Sequence, residues 1–397
     1  KFVKRLMKIV SIHERTVPLE SETSNAAISF STMTASAVVV EIETAKGRFK
    51  GLGFSSYGRY GHGGLLNERF IPRLLNAQPE DFIDQAEGNF SMLNFWDVLM
   101  QNEKEGGHGE RSGAVGVIET AMWDAWAKSE DLPLWALLAR DVGHVDDGGV
   151  AAGETAIYGS GGHYRTDAVD AQNIVDEARK CFDDGYAWFK IKVGGAPPVL
   201  DNKRIEAAIR VAGASQLIAV DSNCAFGNKN LDDYLKHIDE FSLRWIEEPV
   251  NPLDYEALTA TVKSIQTPVA TGENIFAVAD VVNLLRYGGL TPGRDTLQMD
   301  IVLSYGITEF LRMLSFAESG GWSRRDFIPH AGHQLALHVS SGLGLGGHET
   351  ASVLDTPFSG VSDDTKIEDG SAYLSDKPGI GIEYKPSLYK YFDGMLN

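Results

Sequence analysis

Seven ionisable residues recur through the second half of the chain: Lys192, Asp221, Glu247, Glu273, Asp300, His330 and Glu349. Their intervals are 29, 26, 26, 27, 30 and 19 residues. Four successive members are carboxylates, and the first three are evenly spaced. Asp221, Glu247 and Glu273, if brought together, would repel strongly unless a cation lay between them. A hard oxygen set with no Cys or His suits Mg²⁺ or Mn²⁺. Taken singly, each reads equally well as a helix N-cap or a surface charge. The repeated interval favours the shared site.

Lys190 and Lys192 are two residues apart, so on a strand they point to one side. Trp188, Phe189, Ile191 and Val193 make that strand apolar, so a lysine inside it needs a partner or a function. Lowered in pKa by burial and neighbouring cations, Lys192 would serve as a general base. His330 follows the apolar pair Phe327-Ile328. A carboxylate at the preceding position, Asp300, would hold its imidazole and favour the protonated form.

An interval of 26–30 residues is one strand, one helix and two loops. The strands predicted are Trp188–Val193, Leu217–Asp221, Arg244–Glu247, Pro268–Gly272, Thr296–Ile301, Asp326–Pro329 and Gly347–Ala351, with Ala156–Tyr158 before them. Helical runs such as Asp201–Val211, Leu253–Ile265 and Ile307–Glu318 lie between. One strand per βα unit, repeated about eight times, predicts an α/β fold with a (β/α)8-type barrel over residues 149–357. The ionisable residues then fall on its C-terminal rim. Residues 1–148 read as α+β. Residues 37–43 and 48–53 form a hairpin, and apolar residues from Val115 to Trp126 repeat at helical spacing.

The chain has 397 residues, 36 Lys+Arg against 55 Asp+Glu and a formal charge of −19. That excludes a basic nucleic-acid footprint and disfavours an anionic membrane surface. The two cysteines, Cys181 and Cys224, cannot build a disulfide framework. No apolar run approaches a membrane span. A cytoplasmic protein is expected. Gly342–Gly347 fits G-x-G-x-x-G but follows a helical run, which fails the dinucleotide context. His330, His333 and His338 lack the spacing of a zinc peptidase.

The ordered segments Lys190-Ile191-Lys192, Asp221-Ser222-Asn223, Trp245-Ile246-Glu247-Glu248-Pro249, Gly272-Glu273-Asn274, Gln298-Met299-Asp300 and Ile328-Pro329-His330 resemble the enolase superfamily, in its mandelate racemase subgroup. Met122–Lys128 resembles the end of that family's capping domain. The resemblance implies a modified TIM barrel with an α+β N-terminal capping domain, completed by about residues 358–397. It implies one Mg²⁺ per subunit on Asp221, Glu247 and Glu273, with the first glutamate of the pair at 247 and 248 as ligand. Lys192 is then the base on one face of the substrate, and His330 with Asp300 the acid or base on the other. Glu349 matches a carboxylic acid that hydrogen-bonds the substrate carboxylate, and Lys190 helps hold that carboxylate. A symmetric homo-oligomer, often an octamer, is implied.

Within the subgroup, Asn102-Glu103-Lys104, Gly106–Ser112, Gly58–Gly61 and Gly342–Gly347 are similar to the D-tartrate dehydratase family. That implies dehydration of a small anionic dihydroxy diacid to a keto acid, oxaloacetate from tartrate. Asn25, Tyr57, Arg59, Lys104, Tyr164 and Asn223 are the candidate substrate contacts. Tyr57 stands where that family is expected to carry an amide, and a tyrosine is expected near His163-Tyr164. Three carboxylates, one divalent ion and Lys190 leave no spare charge for a second substrate carboxylate, so Lys104 or Arg59 must supply it. The alternatives are a dehydratase of another acid sugar, a racemase or epimerase using the same Lys/His pair, and a binding barrel without catalysis.

Overall fold

The computed structural model describes residues 7–19, 21, 24–56, 59–145, 150–164, 171–226, 231–350 and 357–396. Three antiparallel strands open the chain: β1 (Lys8–Pro18), β2 (Thr34–Thr44) and β3 (Gly47–Phe54). The hairpin predicted at 37–43 and 48–53 is β2–β3, closed by the pair Thr44↔Gly47. β1 pairs along β2 from Lys8↔Glu43 to Pro18↔Thr34. Sequence reading missed β1 because charged Glu14 and Arg15 interrupt its alternation.

Helices α1 (Gly63–Leu65), α2 (Ile71–Asn76) and α3 (Met92–Leu99) follow, then α4 (Arg111–Ser129) and α5 (Leu134–Leu138). The helical spacing of apolar residues from Val115 to Trp126 predicts a helix with one core-facing stripe. α4 is instead buried on every face, with 16 of its 19 residues inside. The reason is its position between the β1–β3 sheet and the barrel. Gly51 and Gly53 bring β3 against it: an added Cβ would overlap the carbonyls of Ala121 and Val117. On its other side Gly116 touches the barrel so closely that an added Cβ would overlap the Val302 carbonyl. One turn further, the Glu119 carboxylate accepts the Ile307 N–H at 2.9 Å, the Thr308 N–H at 3.0 Å and the Thr308 hydroxyl at 2.6 Å. It thereby caps a barrel helix, α11 below, from outside the barrel.

The barrel alternates β4 (Glu154–Gly161), α6 (Ala171–Asp183), β5 (Phe189–Lys192), α7 (Pro198–Ala212), β6 (Ile218–Asp221), α8 (Leu231–Asp239), β7 (Ile246–Glu247), α9 (Tyr255–Ser264), β8 (Val269–Thr271), α10 (Val278–Tyr287), β9 (Thr296–Leu297) and α11 (Ile307–Ser319). The strands pair in parallel in chain order. A single bridge, Leu297↔Phe327, makes the next stave. α12 (Gln334–Leu343) leads to β10 (His348–Thr350), which closes the ring by pairing with β4. β9 is shorter than predicted. From Gln298 the chain leaves the sheet, because the Asp300 carboxylate accepts the Leu303 N–H at 2.8 Å and its carbonyl the Ser304 N–H at 3.0 Å. The 326–329 stave is likewise reduced to its bridge.

The C-terminal segment divides. β11 (Lys366–Glu368) and β12 (Ser371–Tyr373) form a hairpin that extends the barrel sheet beside β4. Beyond it the chain, with α13 (Pro386–Tyr389), returns to the N-terminal elements. There Ile380 N–H donates to Asp124 at 2.6 Å and the Lys50 ammonium reaches the Leu396 carbonyl. Among the described residues, no helix is long and apolar enough to cross a membrane.

Candidate active site

All seven spaced residues converge at the C-terminal ends of the barrel strands. The parallel register aligns Lys192 with Asp221 and Asp221 with Glu247. One oxygen from each of Asp221, Glu247 and Glu273 lies within 4.8 Å of the others. This donor set fits a hard divalent cation. Glu273 Oε2 is buried with no hydrogen-bond partner among the described residues. Burial above all, with repulsion from Asp221 and Glu349, lifts Glu247 to about 7 despite Lys190. A cation at this point would relieve both costs.

Both lysines are inside the barrel, Lys190 at 1 % and Lys192 at 8 % exposure. Lys190 Nζ lies 2.7 Å from Glu247 and 3.0 Å from Glu349. Lys192 Nζ donates to Asp221 Oδ2. Burial alone would lower both ammoniums, but the surrounding carboxylates outweigh it and raise them. The same lysines hold Asp221 below the usual carboxylate range against its burial. The lowered Lys192 expected from sequence is therefore not what this arrangement gives. As long as Lys192 holds Asp221 it is a poor base, and basicity requires that carboxylate to turn to another cation.

Across the cavity, His330 Nδ1 is 2.8 Å from Asp300 Oδ2, and Nε2 is 3.4 Å from Glu273 Oε2. Burial disfavours the imidazolium, yet Glu273 and Asp300 outweigh it and raise His330 to about 10. These two carboxylates favour the protonated ring. Glu349 departs from expectation. Burial would raise it, but Lys190, His330 and Lys192 hold it well below the usual range. The ion pair with Lys190 favours the ionised carboxylate over the neutral acid that the resemblance implies.

Of the expected substrate contacts, Asn25, Arg59 and Asn223 line the cavity with Lys192, Glu273, His330 and Glu349. Asn25 caps its own turn, accepting from Ala27 and Ile28 N–H at 2.8 Å each. Asn223, at φ +44°, donates its main-chain N–H to Asp221 at 2.9 Å. Tyr57 lies outside the described residues. Lys104 is exposed and does not line the cavity, because Glu103 is drawn to Arg69, Arg73 and Arg111 and the Lys104 carbonyl accepts from Arg111. Tyr164 turns away. Its hydroxyl donates to Asp201 on α7 at 2.9 Å, and its ring lies under Arg204. The neighbouring His163 lines the cavity instead, held neutral by burial and Lys192 at about 3.

Sequence reading missed two further contributors. Ser56, just past β3, is 2 % exposed and donates its hydroxyl to Asp300 Oδ2, the oxygen that also holds His330. Glu248 is buried behind Glu247, accepting from Asn274 Nδ2 at 2.7 Å and from Cys224 Sγ at 3.4 Å. Asn274 in turn accepts from Arg59. The Glu-Glu pair signalled Glu248, but nothing in the sequence tied Ser56 to a residue 244 positions away.

Residues 173–388 match the family described as Enolase C-terminal domain-like. The chain belongs to the enolase superfamily. Over 350 residues it is 27 % identical to the L-talarate/galactarate dehydratase of Salmonella typhimurium LT2, covering 87 % of this chain and 79 % of that one. It is 23 % identical to the arabinonate dehydratase of Saccharolobus solfataricus, covering 89 % and 90 %. Among solved structures, L-talarate dehydratase from Polaromonas sp. JS666, complexed with Mg and L-glucarate, superposes with a TM-score of 0.72. It is 26 % identical over 94 % of both chains.

Proposed function

We propose that the protein is an acid-sugar dehydratase, a hydro-lyase, and that its substrate is D-tartrate, released as oxaloacetate. The observation that carries this reading is the placing of Lys192 and His330 on one cavity beside a carboxylate triad. The dehydratase relatives support the class, and the tartrate-like segments at 102–112 support the choice of acid. Residues 149–357 carry the chemistry, and 1–148 with part of 358–397 close over it.

Asp221, Glu247 and Glu273 would hold one Mg²⁺, which supplies Lewis-acid stabilisation to the substrate carboxylate as charge builds there. Lys190 donates to that carboxylate, and Glu349 keeps Lys190 in place. Lys192 Nζ, neutral once released from Asp221, takes the α-proton. His330 passes its Nε2 proton to the β-hydroxyl, which leaves as water. Asp300 holds the resulting imidazole through Nδ1. The enol product tautomerises to the keto acid. Arg59, which lines the cavity and donates to Asn274, would meet the distal carboxylate, since Lys104 points to solvent.

A screen of acid sugars with Mg²⁺, read by keto-acid release, tests the reading. Turnover of D-tartrate is expected. If neither tartrate enantiomer reacts, the specific assignment is lost. If a hexarate reacts instead, the second reading holds, in line with the talarate/galactarate relative. Optical inversion without keto acid would make the enzyme a racemase.

A further inference from the structure

The barrel carries a second concavity at the end opposite the candidate site. Its volume is about 540 Å³, within the range of small-molecule sites. Residues that precede the strands build it, among them Arg244, Arg294 and Arg325. Arg244 lies two positions before β7, as Trp188 lies one before β5. Its guanidinium stacks 3.8 Å from the centre of the Trp188 ring and 5.7 Å from that of Trp245.

Arg244 is half-buried, and burial lowers its pKa. Among the described residues its guanidinium has no ion-pair partner and no hydrogen-bond acceptor. A half-buried guanidinium whose N–H groups meet no protein acceptor presents an open donor fork to the concavity. Its neighbours are committed. Arg294 donates to the Ile265 carbonyl at 2.9 Å and pairs with Asp295 at 3.4 Å. Arg325 donates to the Leu345 carbonyl at 3.1 Å.

The acids on the wall are spent on main-chain N–H groups. Asp239 accepts from Gln266 and Thr267, Asp295 from Val269 and Thr291, and Asp326 from Gly293 and Ser323. Each of these acids is already engaged by main-chain donors, while one donor fork is open. With three arginines against three aspartates the local charge balances, which favours a single negative charge over a dianion.

We propose that this pocket binds a small carboxylate, held bidentately by Arg244 with Trp188 backing the guanidinium. The occupant would sit apart from the candidate active site, behind the stacked rings of Tyr158 and Trp188 that fill the barrel interior.

The test uses the Mg²⁺-loaded full-length protein and 4-bromobenzoate as probe. Bromine anomalous scattering in soaked crystals is expected beside Arg244. In calorimetric titration, Arg244→Met removes the guanidinium while leaving an unbranched apolar side chain beside Trp188, and should weaken binding at least about tenfold, with Arg244→Lys intermediate. If Arg244→Met does not fold, the Lys variant and the anomalous map decide. Bromine only at the catalytic mouth, unchanged affinity in the variant, or a neighbouring copy's acidic side chain seated on Arg244 would each overturn the proposal.

Discussion

The two sides of the reaction cavity are built on different plans. On the Lys192 side every partner comes from the barrel: Lys190 and Lys192 on β5, Asp221 on β6, Glu247 on β7 and Glu349 on β10. On the His330 side the last hydrogen bond comes from outside it, from Ser56 past β3. The difference teaches that the proposed base is set by barrel register alone. The proposed acid, His330, also depends on how the N-terminal elements sit.

This comparison can be broken in four ways. The largest effect is expected for Lys192→Ala, which should lose roughly 10⁴-fold in turnover together with α-proton exchange. If exchange in D₂O continued at the parental rate, the base would lie elsewhere. Next comes His330→Asn, which should lose roughly 10³-fold in dehydration while α-proton exchange at Lys192 survives. Loss of both together would mean that the two sides are not separable.

Ser56→Ala should lower kcat about tenfold with KM and exchange little changed, and Ser56→Thr should restore much of it. An unchanged kcat would make the His330 side as self-contained as the other. The smallest effect concerns two buried neutral histidines, His62 among the N-terminal elements and His338 on α12. Burial lowers them to about 4 and about 3. Their contribution to stability is complete above the unfolded pKa of about 6.5 and is lost as pH falls toward the folded values. Replacing either by Gln should flatten denaturant stability against pH by about 1.4 kcal/mol per unit between about pH 6.5 and 4.5. Equal slopes in one transition are expected if both regions unfold as one body; separate transitions would show two.

What the sequence made legible follows from periodicity. A repeat of 26–30 residues fixes where a strand ends, so the triad, Lys192, Asp300 and His330 could be placed without coordinates. Charge state could not be, because it depends on contacts: Glu349 lies beside Lys190, and Lys192 is held by Asp221. The loops were least readable. Whether His163 or Tyr164 faces the cavity is a matter of one residue of register after β4, and Lys104 was lost to the pull of three arginines on Glu103. β1 was missed because a strand with one wet face carries charges that blur its alternation.

The contact of Gly116 with Val302 has a consequence for recombination between relatives. Where not even a methyl group fits, two segments cannot be inherited separately. A chimera that takes its N-terminal half from one enzyme and its barrel from another should fail if the crossover falls between α4 and α11. It should succeed when residues 111–129 travel with 298–308 as one exchangeable block. The unit of modularity in this protein is then that interlocked pair, a helix and a barrel loop far apart in the chain.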